Sequence, residues 1–124
     1  MDKFEGNGKY IYEDDEYYIG EFKNGSIHGK GKYIYGNGEY YIGKFKNGLK
    51  NGKGIIYYKN GNIKYDGEFI NDKFEGKGKY IYQNGEYYIG EWKNGLKHGK
   101  GIIYYSNGNI KYEGEFMNGK FIGK

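Results

Sequence analysis

The chain has 124 residues, 25 of them glycine and 18 tyrosine, with a formal net charge of +4. It contains no cysteine, which excludes a disulfide framework, a zinc knuckle and a thiol nucleophile, and no apolar run approaches the ~18 residues of a membrane span. All 20 basic residues are lysine, so no guanidinium fork is present for bidentate contact with phosphate, carboxylate or guanine, which weighs against sequence-specific nucleic-acid recognition.

The first residues, Met1-Asp2-Lys3-Phe4-Glu5-Gly6, lack the apolar stretch of a signal peptide, and the expected compartment is the cytoplasm. Leu, Ile, Val and Phe together supply 24 residues, a share that borders on disordered composition; the 21% aromatic content argues for a folded chain. The cluster Glu13-Asp14-Asp15-Glu16 has the oxygen chemistry of a hard-cation site. It stands where later segments carry Asn-Gly, so an acidic turn is the simpler account, and no metal site or cofactor is expected.

The run Tyr18-Ile19-Gly20-Glu21-Phe22-Lys23 comes next, then a turn, Asn24-Gly25-Ser26-Ile27-His28, then Gly29-Lys30-Gly31-Lys32-Tyr33-Ile34-Tyr35. This pattern repeats along the chain. The glycine of Tyr-x-Gly falls at Gly20, Gly43, Gly67, Gly90 and Gly114, spaced alternately by 23 and 24 residues. The longer units close with Asn-Gly-Asn-Ile-Lys-Tyr and the shorter with Asn-Gly-Glu-Tyr-Tyr. Residues 27–71 match 74–118 at 36 of 45 positions. The units are 18–40, 41–64, 65–87 and 88–111, with partial units at 4–17 and 112–124. Both ends therefore fall inside a unit, and Asp2–Gly6 repeats as Asp72–Gly76.

Each unit predicts a β-hairpin. Asn-Gly occurs ten times, mostly where a run ends, and both of its residues tolerate the positive φ of a tight hairpin turn. The runs are rich in Tyr, Ile and Phe, and no helical period is sustained. The expectation is an all-β, elongated, single-layer antiparallel meander forming one domain over 1–124. Ten strands at ~4.8 Å spacing would give a ribbon about 45–50 Å long.

Side chains alternate faces along a strand, so Tyr18, Gly20 and Phe22 share one face. Tyr41/Gly43/Phe45, Tyr65/Gly67/Phe69, Tyr88/Gly90/Trp92 and Tyr112/Gly114/Phe116 repeat it. A ring laid over a neighbouring strand needs a residue without Cβ beneath it and shields that glycine in return. The opposite face mixes Ile19, Ile34, Ile42 and Ile55 with Glu21, Lys30, Lys32 and Lys44. No second layer remains to cover the aromatic face. Two readings stay open for Tyr18, Phe22, Tyr41, Phe45, Tyr65, Phe69, Tyr88, Trp92, Tyr112 and Phe116: the core of a twisted ribbon, or a surface for a partner protein, a helix or a second copy.

Alternate turns of a meander lie on opposite long edges. The edge formed by 23–32, 46–53, 70–79, 93–100 and 117–124 carries a formal +12, and the remainder −8. Lys46, Lys50, Lys53, Lys93, Lys97 and Lys100 form its densest stretches. They are candidates for anionic lipid headgroups, and this gives the alternative function, a peripheral membrane module. Exposed lysine also serves solubility and guards sheet edges against aggregation. An aromatic cage for cations or sugars is a third possibility. Nothing resembles a general acid–base pair: His28 and His98 occupy a variable turn position, and Glu21, Glu68, Glu91 and Glu115 lack apolar neighbours that would raise a pKa.

The unit Tyr-x-Gly-x-(Phe/Trp)-x-Asn-Gly-x-x-x-Gly-x-Gly, best seen at Tyr88–Gly101, closely resembles the MORN (membrane occupation and recognition nexus) repeat. The resemblance covers essentially the whole chain. Phe stands for the usual Trp except at Trp92, and Asp15 and Asp72 replace turn glycines. The resemblance implies a non-catalytic scaffold that binds proteins, dimerises or attaches to membranes.

Overall fold

The computed structural model describes residues 5–123. The Asp2–Phe4 copy of Asp72–Phe74, and Lys124, lie outside them. The described residues contain eleven strands: β1 (Gly6–Ile11), β2 (Tyr17–Lys23), β3 (Ser26–Ile34), β4 (Tyr40–Lys46), β5 (Leu49–Tyr57), β6 (Ile63–Ile70), β7 (Lys73–Ile81), β8 (Tyr87–Lys93), β9 (Leu96–Tyr104), β10 (Ile110–Met117) and β11 (Lys120–Gly123). They form one open antiparallel sheet in strict sequence order, one strand more than the ten expected, because the short run Lys120–Gly123 also pairs.

The turns at one long edge have two central residues, both with positive φ: Asn24 (52°) and Gly25 (81°), Asn47 and Gly48, Asn94 and Gly95, Asn118 and Gly119. This geometry matches the strand twist, and asparagine and glycine reach it at least cost. Asp72 adopts a φ of 72° where the other turns have glycine. Its place is held from the preceding unit: its amide donates to the Lys50 carbonyl, and its Oδ1 accepts from the Lys50 amide at 2.7 Å. At the opposite edge the turns are longer. There the amide two residues past Asn37, Asn60, Asn84 or Asn107 donates to that asparagine's Oδ1 at 2.9 Å.

The alternation of 23 and 24 residues has a structural cause. In the longer units the register slips around Lys64 and Lys111, so the extra residue is a bulge rather than a longer loop. Each bulge lysine then reaches back one unit, with Nζ 2.9 Å from Glu39 or Glu86 respectively.

A continuous seam of glycine crosses ten strands: Gly8, Gly20, Gly31, Gly43, Gly54, Gly67, Gly78, Gly90, Gly101 and Gly114 are cross-strand neighbours in that order. Tyr18, Tyr41, Tyr65 and Tyr88, from the even strands, lie over it at 0% exposure. A Cβ on Gly31, Gly54, Gly78 or Gly101 would fall inside the overlying ring. Each tyrosine packs edge-on against the aromatic residue four positions on and against that of the next unit: Tyr18 meets Phe22 and Phe45, both with centroids 5.2 Å away. The core is thus one ring thick, built by stacking units along the ribbon as in other repeat proteins.

Candidate functional site

The two faces differ in what they leave available. On the aromatic face, Tyr18, Phe22, Tyr41, Phe45, Tyr65, Phe69, Tyr88, Trp92 and Phe116 are all at most 7% exposed. Nine of the ten rings read from the sequence as a candidate partner surface are therefore core, and a partner laid on this face would not meet them first. Their hydroxyls are also engaged: Tyr18, Tyr41, Tyr65 and Tyr88 donate to the carbonyls of Glu21, Lys44, Glu68 and Glu91 at 2.7–3.0 Å. Burial pushes the pKa of Tyr18 and Tyr88 up to about 12, and raises those of Tyr41 and Tyr65 as well. Tyr112 is the exception at 45% exposure, because no ring of a following unit covers it among the described residues.

The rings that a partner would meet lie between and beside these. Tyr33, Tyr35, Phe74, Tyr80 and Tyr82 are half-buried against the core. The sequence signal for Tyr33, Tyr35, Tyr80 and Tyr82 was the Tyr-Ile-Tyr run that closes β3 and β7, whose two tyrosines share the aromatic face.

Two of the six candidate lipid-binding lysines do not project from the edge. Lys50 and Lys97 lie on the aromatic face, opposite Phe45 and Trp92. Lys50 Nζ donates to the Tyr35 hydroxyl at 2.8 Å, sits 5.4 Å from that ring centroid and 5.7 Å from that of Tyr41, and lies 3.5 Å from Asp72. Lys97 repeats the arrangement, donating to Tyr82 at 2.8 Å and sitting 5.7 Å from the Tyr88 ring. A readable signal existed. The equivalent positions in the other hairpins are Ile27, Phe74 and Phe121, all apolar, so this is a position that covers rings. Lysine satisfies it with an apolar stem and a cation held over aromatic faces. Lys46, Lys53, Lys93 and Lys100 are exposed.

A cleft of about 500 Å³ opens between three successive long turns, lined by Tyr58 and Tyr82 with Asn37, Asn60, Gln83 and Glu39. Tyr58 donates to the Ile81 carbonyl, and burial raises its pKa to about 12.

The acidic cluster is a turn with Asp14 and Asp15 at positive φ, and Glu16 accepts hydrogen bonds from the Tyr33 hydroxyl and the Gly36 amide. Glu21 and Glu68 accept from the backbone amides of Lys30 and Lys77, where the hairpin register shifts. No group of three or more metal-ligating side chains converges among the described residues, and no helix among them is long and apolar enough to cross a membrane.

A single sheet, open on both faces, seamed with glycine and stabilised by unit-to-unit ring stacking defines a repeat module of the interaction class. The MORN repeat model matches at residues 1–16, 18–40, 41–63, 65–87, 88–110 and 112–124, and the chain belongs to that family. These repeats are interaction modules rather than catalytic units. A comparison with curated proteins finds no match.

Proposed function

We propose that the chain is a non-catalytic scaffold whose glycine/aromatic face receives a segment of a protein partner. The observation that carries this reading is the repeated pair Tyr35–Lys50 and Tyr82–Lys97. Each pair sets a half-buried ring and an ammonium on the same face; Lys50 is already paired with Asp72, whereas no ion pair among the described residues holds Lys97. The pairs are four strands apart, about 19 Å at the usual strand spacing, a span that a helix covers in about 13 residues. A segment with apolar side chains for the two rings and a carboxylate for Lys97 suits this face. A second copy of the chain is the other occupant with access to this face.

Sedimentation and capture with a double variant, Tyr35→Ser with Tyr82→Ser, test the proposal. Both rings lie outside the buried core, so the strand signal in circular dichroism stays unchanged. Partner capture, or self-association if the occupant is a second copy, is expected to fall. Undiminished association in the folded variant would remove the proposal.

A further inference from the structure

The cleft of about 500 Å³ between the turns at 35–39, 58–62 and 82–86 falls within the ~300–1,000 Å³ range of small-molecule sites. Backbone hydrogen bonds fix the three turns that frame it: the Tyr35 amide donates to the Glu39 carbonyl at 2.9 Å, and those of Tyr58 and Tyr82 to the Asn62 and Glu86 carbonyls at 2.8 Å. Tyr58 and Tyr82 line it half-buried, with Asn37, Asn60, Asn62 and Gln83 exposed around them. Asn37 and Asn60 spend Oδ1 on the amides of Glu39 and Asn62, which leaves each side-chain NH2 group as a donor. No hydrogen bond among the described residues uses those NH2 groups or the side chains of Asn62 and Gln83. Gln83 is also the chain's one glutamine; the equivalent positions of the other long turns hold Gly36, Lys59 and Ser106.

The one carboxylate lining the cleft, Glu39, is neutralised by Lys64, whose Nζ lies 2.9 Å away. Lys64 Nζ also sits 5.5 Å from the Tyr58 ring centroid, and Lys97 Nζ 5.5 Å from that of Tyr82. Neither lysine lines the cleft, so it meets these rings away from their ammoniums. A second cation at either ring would meet a like charge, which disfavours an aromatic cage for cations here. Lys59 lines the cleft with its stem against the neighbouring turn, where a Cβ on Gly38 would fall 2.8 Å from its Cγ. The groups left for a ligand are two ring surfaces and four neutral amides.

We propose that this cleft is a binding site for a neutral sugar, held as part of an oligosaccharide. A pyranose ring presents an apolar C–H face, which suits an aromatic surface, and hydroxyls that both donate and accept, which suit side-chain amides. Neither an anion nor a cation finds a matching cluster of charge there. The proposal does not rest on the protein-partner reading. Tyr82 belongs to both surfaces, so the variants that test the sugar site leave it intact.

The test titrates the isotope-labelled full chain with a panel of neutral oligosaccharides built from glucose, galactose, mannose or N-acetylglucosamine, and follows the side-chain amide resonances. The expected result is a saturable shift of the Asn37, Asn60 and Gln83 NH2 signals with at least one sugar. Added salt should leave the affinity unchanged, because no charge pair forms. Gln83→Ser, which places the residue that the next unit carries as Ser106, should weaken binding about fivefold, the worth of one neutral hydrogen bond. Tyr58→Leu, checked for an intact strand signal in circular dichroism, should weaken it at least as much. No shift with any sugar, unchanged affinity in either folded variant, binding lost on adding salt, or equal affinity for a neutral glycine–asparagine peptide would each overturn the proposal.

Discussion

The Tyr18 ring rests on Gly31 of the neighbouring strand while its hydroxyl donates to the Glu21 carbonyl, 2.9 Å away. One side chain therefore closes the sheet surface over a strand that has no side chain of its own there, and ties the ring back to its own strand. The same relationship joins Tyr41 to Gly54, Tyr65 to Gly78 and Tyr88 to Gly101. It explains why glycine, ordinarily weak in strands, is arranged here as a seam.

Substituting the seam separates two uses of glycine. Gly78→Ala forces the Tyr65 ring off its seat and should cost about 1–3 kcal/mol or more through overpacking. Gly48→Ala meets no neighbour within 4 Å but sits at a φ of 84°, so its cost of about 1–2 kcal/mol comes from backbone strain alone. Urea denaturation of the two variants checks this. The near-ultraviolet circular dichroism of the tyrosines should change only in Gly78→Ala.

Lys50 and its neighbour Lys46 should behave differently although both belong to the basic edge. Lys50, whose side chain is 15% exposed, packs on rings and pairs with Asp72, so Lys50→Ala should cost about 1–2 kcal/mol. Lys46→Ala, at an exposed site, should stay within about 0.5 kcal/mol. Thermal melts of both variants at low and high salt provide the comparison.

Alkaline pH should unfold the chain through its tyrosines. Burial raises the folded-state pKa of Tyr18 and Tyr88 from 10.0 to about 12. Below pH 10 the phenols are neutral in both states and stability is flat. Above it the unfolded chain loses protons that the folded chain keeps, so stability falls between pH 10 and 12. Tyrosinate absorbance and circular dichroism, followed together, should show ionisation of these rings coinciding with unfolding. Full ionisation with the sheet intact would contradict the burial.

Trp92 reports on the core as the chain's one tryptophan, 7% exposed, with Nε1 donating to the Gly78 carbonyl at 3.1 Å. Its emission should be blue-shifted when folded. Because four units use phenylalanine at this position, Trp92→Phe should cost only about 1–2 kcal/mol, the hydrogen bond and part of a buried ring, measured by the urea midpoint.

Much of this architecture was legible because period, turn chemistry and face alternation all point the same way. The Asn-Gly pairs marked the hairpins, and the Tyr-x-Gly spacing put rings and glycines on one face. The bulges at Lys64 and Lys111 were visible only as an extra residue, since sequence spacing does not say whether insertion lengthens a loop or distorts a ladder. The inward turn of Lys50 and Lys97 was hidden by residue type. A charge count assigns lysine to the edge, while the ring-covering role shows only when Ile27, Phe74 and Phe121 are aligned with them. The aromatic face was read with core and contact undivided, because one ring-thick packing buries a tyrosine only through the next unit's phenylalanine or tryptophan.

The claim that the aromatic face is the interaction face is tested most directly by site-specific photo-crosslinking in cell extract. A benzophenone side chain replaces Tyr82 on that face in one version of the chain and Ile89 on the opposite face in another. The account predicts a discrete protein adduct, either with a partner or with a second copy, from position 82 and none from position 89. Adducts from position 89 alone, or equally from both, would contradict it.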